Sequence, residues 1–148
     1  MSKDDIYVYS IDEAFLDVTN YLKLYKMDEI ELAKTILKDI YNTYGLTATV
    51  GIGTNLYLAK VALDIMSKHT PTNIGYLDEE LYKRKLWHHK PLTDFWQIGR
   101  GIEARLNKKR IYDMYDIAHT NPKILYKEFG VNAEFLIDHS WGRETCTI

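Results

Sequence analysis

The hydrophobic period of this chain changes once, and that change limits what it can fold into. Up to about residue 77 the pattern alternates between period two and the helical period. Ile6, Val8 and Ser10 lie on one face against Tyr7 and Tyr9, and Ala14, Leu16 and Val18 lie against Phe15, Asp17 and Thr19. This predicts two strands joined as a hairpin near Ile11–Glu13. Residues 27–45 form an amphipathic helix with a stripe of Ile30, Ala33, Leu37, Ile40, Tyr41 and Tyr44. Asp28 with Glu31 makes a capping-box-like start, and Gly45 suits a left-handed stop. Leu46, Ala48, Val50 and Ile52 alternate again, a second helix is predicted from about Asn55 to Ser67, and a short strand at 73–76 closes this half. From Asp78 onward no alternation appears. Short helical stretches are separated by "HHKPL", "QIGRG", "AHTNP" and "FGVN". The expected fold class is α+β: a mostly antiparallel sheet with two helices over residues 1–77, then a small all-helical unit over 78–148.

Composition sets the outer limits. The chain is 46% apolar and 27% charged, which suits a folded domain rather than a disordered one. No apolar run approaches the ~20 residues of a membrane span, and "MSKDDIYVYS" lacks the apolar core of a secretory leader. The single cysteine, Cys146, cannot form an intrachain disulfide and is read as a bystander. A cytoplasmic setting is expected. The net charge of −2 hides a basic block: residues 83–110 hold nine Lys/Arg against two Asp/Glu, net +7, between acidic flanks. Such a block fits either a phosphate footprint or an ordinary solvated face.

The oddity is Asp12–Glu13, two adjacent carboxylates within the hairpin pattern. Clustered carboxylates hold Mg²⁺, a hard cation that takes oxygen ligands. Successive residues of a regular strand face opposite ways, so both acids serve one site only where the chain bends. A polar turn explains the pair equally well, and on spacing alone that is the simpler reading. The pair His88–His89 lacks further ligands at metal-binding spacing, so zinc is not expected. Trp87 and Trp96 are read as core of the helical half. Trp141 is expected to pack the last helix, ended by Gly142.

The wider context resembles one family in three places. "YSIDEAFLDVT" resembles the Ser-Ile-Asp-Glu-Ala signature of the Y-family, lesion-bypass DNA polymerases of the UmuC and DinB group. "TVGIGTNLYLAKVALDIMSK" resembles that family's Gly-Ile-x-x-Asn-x-x-x-Ala-Lys block. "PLTDFWQIGRGIEARLNKKRIYDMYDIA" is similar to its thumb segment, nearer the UmuC branch. The resemblance implies the C-terminal part of a polymerase palm over 1–77 and a thumb over 78–148.

It also implies roles. Asp12 and Glu13 would be catalytic carboxylates that hold Mg²⁺ for nucleotidyl transfer by two metals. Lys68 would meet the triphosphate of an incoming dNTP. Lys60 matches the block's lysine, with a structural or snorkelling role as the alternative. Asn55 is read as a helix cap, Ser10 as support near the site and Asp17 as structural. Leu56 stands where the family usually has lysine. In the basic block, Gly99, Arg100 and Gly101 with Arg105, Lys108 and Lys109 would grip the DNA backbone through a helix-hairpin-helix-like turn, joined by Arg110. Gln97 replaces that turn's usual first glycine.

The family's site takes a third carboxylate from an earlier strand, and only six residues precede the "YVYSIDE" strand here. The chain is therefore expected to be an internal fragment, inactive by itself but retaining DNA-backbone binding. Its parent would be a DNA-directed DNA polymerase of damage tolerance and SOS-type repair, acting on primer-template DNA with accessory subunits. A truncated palm would also expose surface for dimerisation. Two other readings stay open. One is a non-catalytic DNA-binding module. The other is a different palm-fold enzyme such as a nucleotide cyclase, against which the basic helical segment argues.

Overall fold

The alternating segments pair as two separate ladders rather than one sheet. The computed structural model describes all 148 residues. Strand β1 (Ile6–Ser10) pairs antiparallel with β2 (Glu13–Leu16). Tyr7 faces Phe15, Val8 faces Ala14 and Ser10 faces Glu13, with a register irregularity between Val8 and Ser10. Strand β3 (Val50–Gly53) pairs in parallel with β4 (Ile74–Leu77). The mostly antiparallel sheet expected from the alternation is thus one antiparallel and one parallel pair. The cause lies in the connections: two residues return the chain at once, whereas a long helical crossover brings it back in the same direction. Strand β3 is also shorter than its alternation, because only residues from Val50 onward face β4.

Helix α2 (Glu29–Tyr44) begins where Asp28 accepts a hydrogen bond from the Glu31 N–H at 2.8 Å. It ends at Gly45, whose φ of 67° costs a glycine nothing. A short helix, α1 (Thr19–Tyr25), precedes it and was not anticipated: it buries no residue, so it carries no readable stripe. Helix α3 (Leu56–Val61) starts at Asn55, whose Oδ1 accepts from the Leu58 N–H at 2.8 Å, and Asn55 Nδ2 also donates to the Gly142 carbonyl at 2.9 Å. A wide π turn over Ala62–Met66 and a 3₁₀ turn over Ser67–His69 extend it. Helix α3 lies directly on β3. A Cβ at Gly51 would overlap the Ala59 carbonyl and the Leu63 N–H, and one at Gly53 would overlap the Ala59 N–H.

After β4 only helices follow: α4 (Glu79–Leu86), α5 (Arg100–Lys108), α6 (Met114–His119), α7 (Pro122–Phe129) and α8 (Ala133–Ser140). Asp78, Asp113 and Asn121 cap α4, α6 and α7 with their side chains. One apolar core runs from Tyr57, Leu58 and Val61 of α3 through Leu77 to Leu125 and Leu136. It crosses the 77–78 point without a break. Residues 1–50, in contrast, bury only Leu32 and Ala33. No helix is long and apolar enough to cross a membrane.

Candidate functional site

The bend that a shared carboxylate site requires is present. Ile11 and Asp12 form the turn of the β1–β2 hairpin, and Glu13 opens β2 opposite Ser10. Ser10 Oγ donates to Asp12 Oδ1 at 3.1 Å. Lys60 Nζ donates to Glu13 Oε1 at 2.7 Å and to Asp64 Oδ1 at 3.1 Å. Each acid of the pair therefore has one oxygen engaged within the chain, and neither Asp12 Oδ2 nor Glu13 Oε2 has a protein partner. The donor set is two carboxylates without His or Cys, which suits a hard divalent cation that keeps several waters. No group of three or more Asp, Glu, His or Cys stands ready to hold a metal.

Lys60 is buried and touches Glu13 although 47 residues separate them. Sequence reasoning left its role open, and its place in the Ala-Lys block was the only pointer. Hydrogen bonds from Nζ to Glu13 and Asp64 hold the proton against the opposing cost of burial, and the net effect raises its pKa above the ordinary 10.5. Its ammonium also lies 5.3 Å from the centre of the Tyr9 ring. Lys68, in contrast, is exposed in the 3₁₀ turn and makes no hydrogen bond or ion pair with either acid. Asp17 Oδ1 accepts from the Thr19 N–H at 3.1 Å, a local contact at the start of α1.

Tyr9 links the hairpin to the basic block. Its ring meets Phe15 and Trp96, and Trp96 Nε1 donates to the Tyr9 hydroxyl at 3.1 Å. Trp96 is thus shared between the hairpin and the helical half, not confined to the helical core. Three residues on, Gly99 caps α5. The N–H groups of Gly99, Arg100, Gly101 and Ile102 have no acceptor within the chain, and both glycines face open space. This is the bare helix start that a phosphate can dock on. Gln97 holds φ at 71°, so the left-handed turn forms without the usual glycine. The element before the turn is a single 3₁₀ turn, Leu92–Asp94.

The basic side chains divide into two sets. Arg100, Lys108 and Arg110 are exposed and unpaired. Arg105 Nε donates to Glu128 Oε1 at 2.9 Å, its guanidinium also reaches the Glu128 carbonyl, and it lies over the Phe129 ring. Lys109 meets the same carboxylate at 3.6 Å. The Arg105 hydrogen bond holds Glu128 below the usual carboxylate range. These two cations are thus spent partly on α7. His88 meets Asp113 at 3.0 Å and His89 meets Asp94 at 2.8 Å. Trp87 packs on Tyr115 and Trp141 and donates to the Ser140 carbonyl.

A cavity of about 540 Å³ opens between the hairpin, α2, β3 and α3, with Glu13 and Lys60 among its lining residues. Ala14, Leu16, Leu32, Ile36 and Ile52 make much of the rest apolar.

Residues 1–64 match the model of the impB/mucB/samB family. UvrX of Bacillus subtilis (strain 168), named as a UV-damage repair protein, is 38% identical over 137 residues, which cover 93% of this chain and 32% of UvrX. DNA polymerase IV of Clostridium acetobutylicum is 32% identical over 140 residues, 95% of this chain and 34% of that protein. The chain spans about a third of the length of these curated relatives. Among solved structures, an insertion ternary complex of Dbh DNA polymerase superposes with a TM-score of 0.81 at 31% identity, covering 98% of this chain and 41% of the other.

Proposed function

The chain belongs to the Y family of DNA polymerases, the UmuC and DinB group, and from that premise we propose that it supplies two parts of a lesion-bypass polymerase: a pair of metal-holding carboxylates and a grip on the DNA backbone. Residues 1–77 act as palm and 78–148 as thumb. Asp12 and Glu13 hold Mg²⁺, which supplies the charge that phosphoryl transfer needs. Primer-template DNA and an incoming dNTP are the substrates, and Lys68 meets the triphosphate. The work is damage tolerance in the cytoplasm, of the SOS-repair kind. The exposed flank of the hairpin serves contact with accessory subunits or a second copy.

One observation carries this reading. The acid pair and the open start of α5 belong to one connected arrangement, through Glu13, Lys60, Tyr9 and Trp96. A polar turn with no further purpose has no reason to be tied to a phosphate-binding helix start. A nucleotide cyclase has no use for the second feature. The hairpin supplies two carboxylates where two-metal transfer takes more, so these 148 residues alone are expected not to extend a primer.

The backbone grip is electrostatic, from Arg100, Lys108 and the N–H groups of Gly99 and Gly101, while Arg105 and Lys109 contribute less because Glu128 competes for them. Fluorescence anisotropy on duplex DNA tests it. Affinity is expected to fall with salt by about one unit of log–log slope per phosphate neutralised, and Arg100→Glu should weaken binding and flatten the slope. Affinity indifferent to both salt and Arg100→Glu would sink this half of the reading. Mn²⁺ binding lost in a folded Asp12→Ala variant supports the other half.

A further inference from the structure

Lys60 is the one lysine the fold buries, and the role given to the acid pair does not use it. Resting on the metal-holding reading above, we propose that Lys60 is the positioning residue of the pair: it fixes Glu13 by one oxygen, keeps the other free, and sets the charge an incoming divalent cation meets.

Three contacts surround the ammonium: Glu13 at 2.7 Å, Asp64 at 3.1 Å and the Tyr9 ring at 5.3 Å. They come from β2, from the π turn that continues α3 and from β1, so the ammonium is held from three directions. Burying an ammonium is costly, and an apolar residue at 60 would join α3 to the hairpin at no such cost. The charge itself therefore needs a reason. Glu13 and Asp64 bring two negative charges against the one positive charge of Lys60, so the ammonium leaves net negative charge at Glu13, next in sequence to Asp12. The two acids are held in parallel ways. Ser10 takes Asp12 Oδ1 and Lys60 takes Glu13 Oε1, and the second oxygen of each is left without a protein partner. Gly51 and Gly53 let α3 lie close enough on β3 for Lys60 to reach across.

The test is a Mn²⁺ titration of the chain followed by electron paramagnetic resonance. Lys60→Met removes a positive charge beside a metal ligand, so Mn²⁺ should bind tighter, by about three- to tenfold. Lys60→Gln should do the same, while Lys60→Arg should keep the wild-type affinity. In a Glu13→Gln background, where Lys60 no longer holds a metal ligand, the Lys60→Met effect should shrink. A lysine that merely ties α3 to the hairpin predicts a lower melting temperature with equal or weaker Mn²⁺ affinity, and that result overturns the proposal. Should the substitutions prevent folding, Mn²⁺ should still broaden the Lys60 ammonium resonance of the wild-type chain. Saturable binding without that broadening also overturns it. Two failures stay distinct. Mn²⁺ binding untouched by Asp12→Ala removes the metal-holding reading itself. Binding that Asp12→Ala abolishes but Lys60→Met does not tighten removes only the role given to Lys60.

Discussion

His139 is sealed against the Tyr57 ring, their centroids 4.0 Å apart and their planes 8° from parallel. Burial pushes its pKa below the ordinary 6.5, and Glu144, 3.2 Å away, opposes that shift without cancelling it. A base with a depressed pKa takes up protons more readily when unfolded, so the fold loses stability as pH drops below about 6.5. The loss is complete once pH passes below the folded-state pKa. Melting curves between pH 7.5 and pH 5 (roughly the titration range of histidine) should show this fall. His139→Gln should start from a lower melting temperature, because the stack is gone, and lose less of it on acidification. An equal acid slope in both proteins would show that His139 is not the titrating group. The same joint explains the raised pKa of Tyr82: burial dominates, while the Tyr57 hydroxyl 3.0 Å away pulls the other way.

At the scale of elements, Gln97 is the informative case. It stands in the left-handed region at φ 71°, where a side chain costs about 1 kcal/mol that glycine avoids. Gln97→Gly should therefore leave the turn intact and raise stability by roughly 0.5–1 kcal/mol, read as a higher denaturant midpoint at unchanged slope. A lower midpoint would mean that the Gln97 side chain supports the turn in a way its exposure does not suggest. How far each element was legible follows from where its cause lies. Helix α2 announced itself through Asp28 and Gly45, and α3 through Asn55, because caps act within a few residues. Helix α1 has no buried stripe, so periodicity passed over it. The parallel pairing of β3 with β4 depends on how the chain returns, which alternation does not encode. The acid pair was visible as a local oddity. Its tie to Lys60 spans 47 residues and the capture of Arg105 by Glu128 spans 23, and no spacing rule reaches that far. The open helix start at Gly99 was legible for the opposite reason: it needs only two glycines and a helix behind them.

Over the whole molecule, burial is lopsided. The core that begins at Tyr57 joins α3, β4 and all later helices, whereas the first fifty residues contribute two buried side chains. Strand β1 shows the consequence. Tyr7 and Val8 are 55% and 71% exposed on opposite faces of the strand, so both faces are open at this end, while Tyr9 further along packs on Phe15 and Trp96. Its outer edge is unpaired as well, because the ladder ends at β1. An apolar edge strand without a blocking charge is a template for another strand. Sedimentation velocity over a wide concentration range should therefore show reversible association of the chain. Val8→Lys places a charge on that edge and should return the protein to monomer, leaving the helical core and its melting temperature nearly unchanged, since Val8 lies outside that core. A wild-type chain that stays monomeric at every concentration would mean that β1 is protected in solution. Association that survives Val8→Lys would move the contact to the exposed side chains of α2, Tyr41 and Tyr44. Scattered exposed apolar side chains are ordinary, whereas an open ladder edge presents a row of backbone N–H and C=O groups free to pair with another strand.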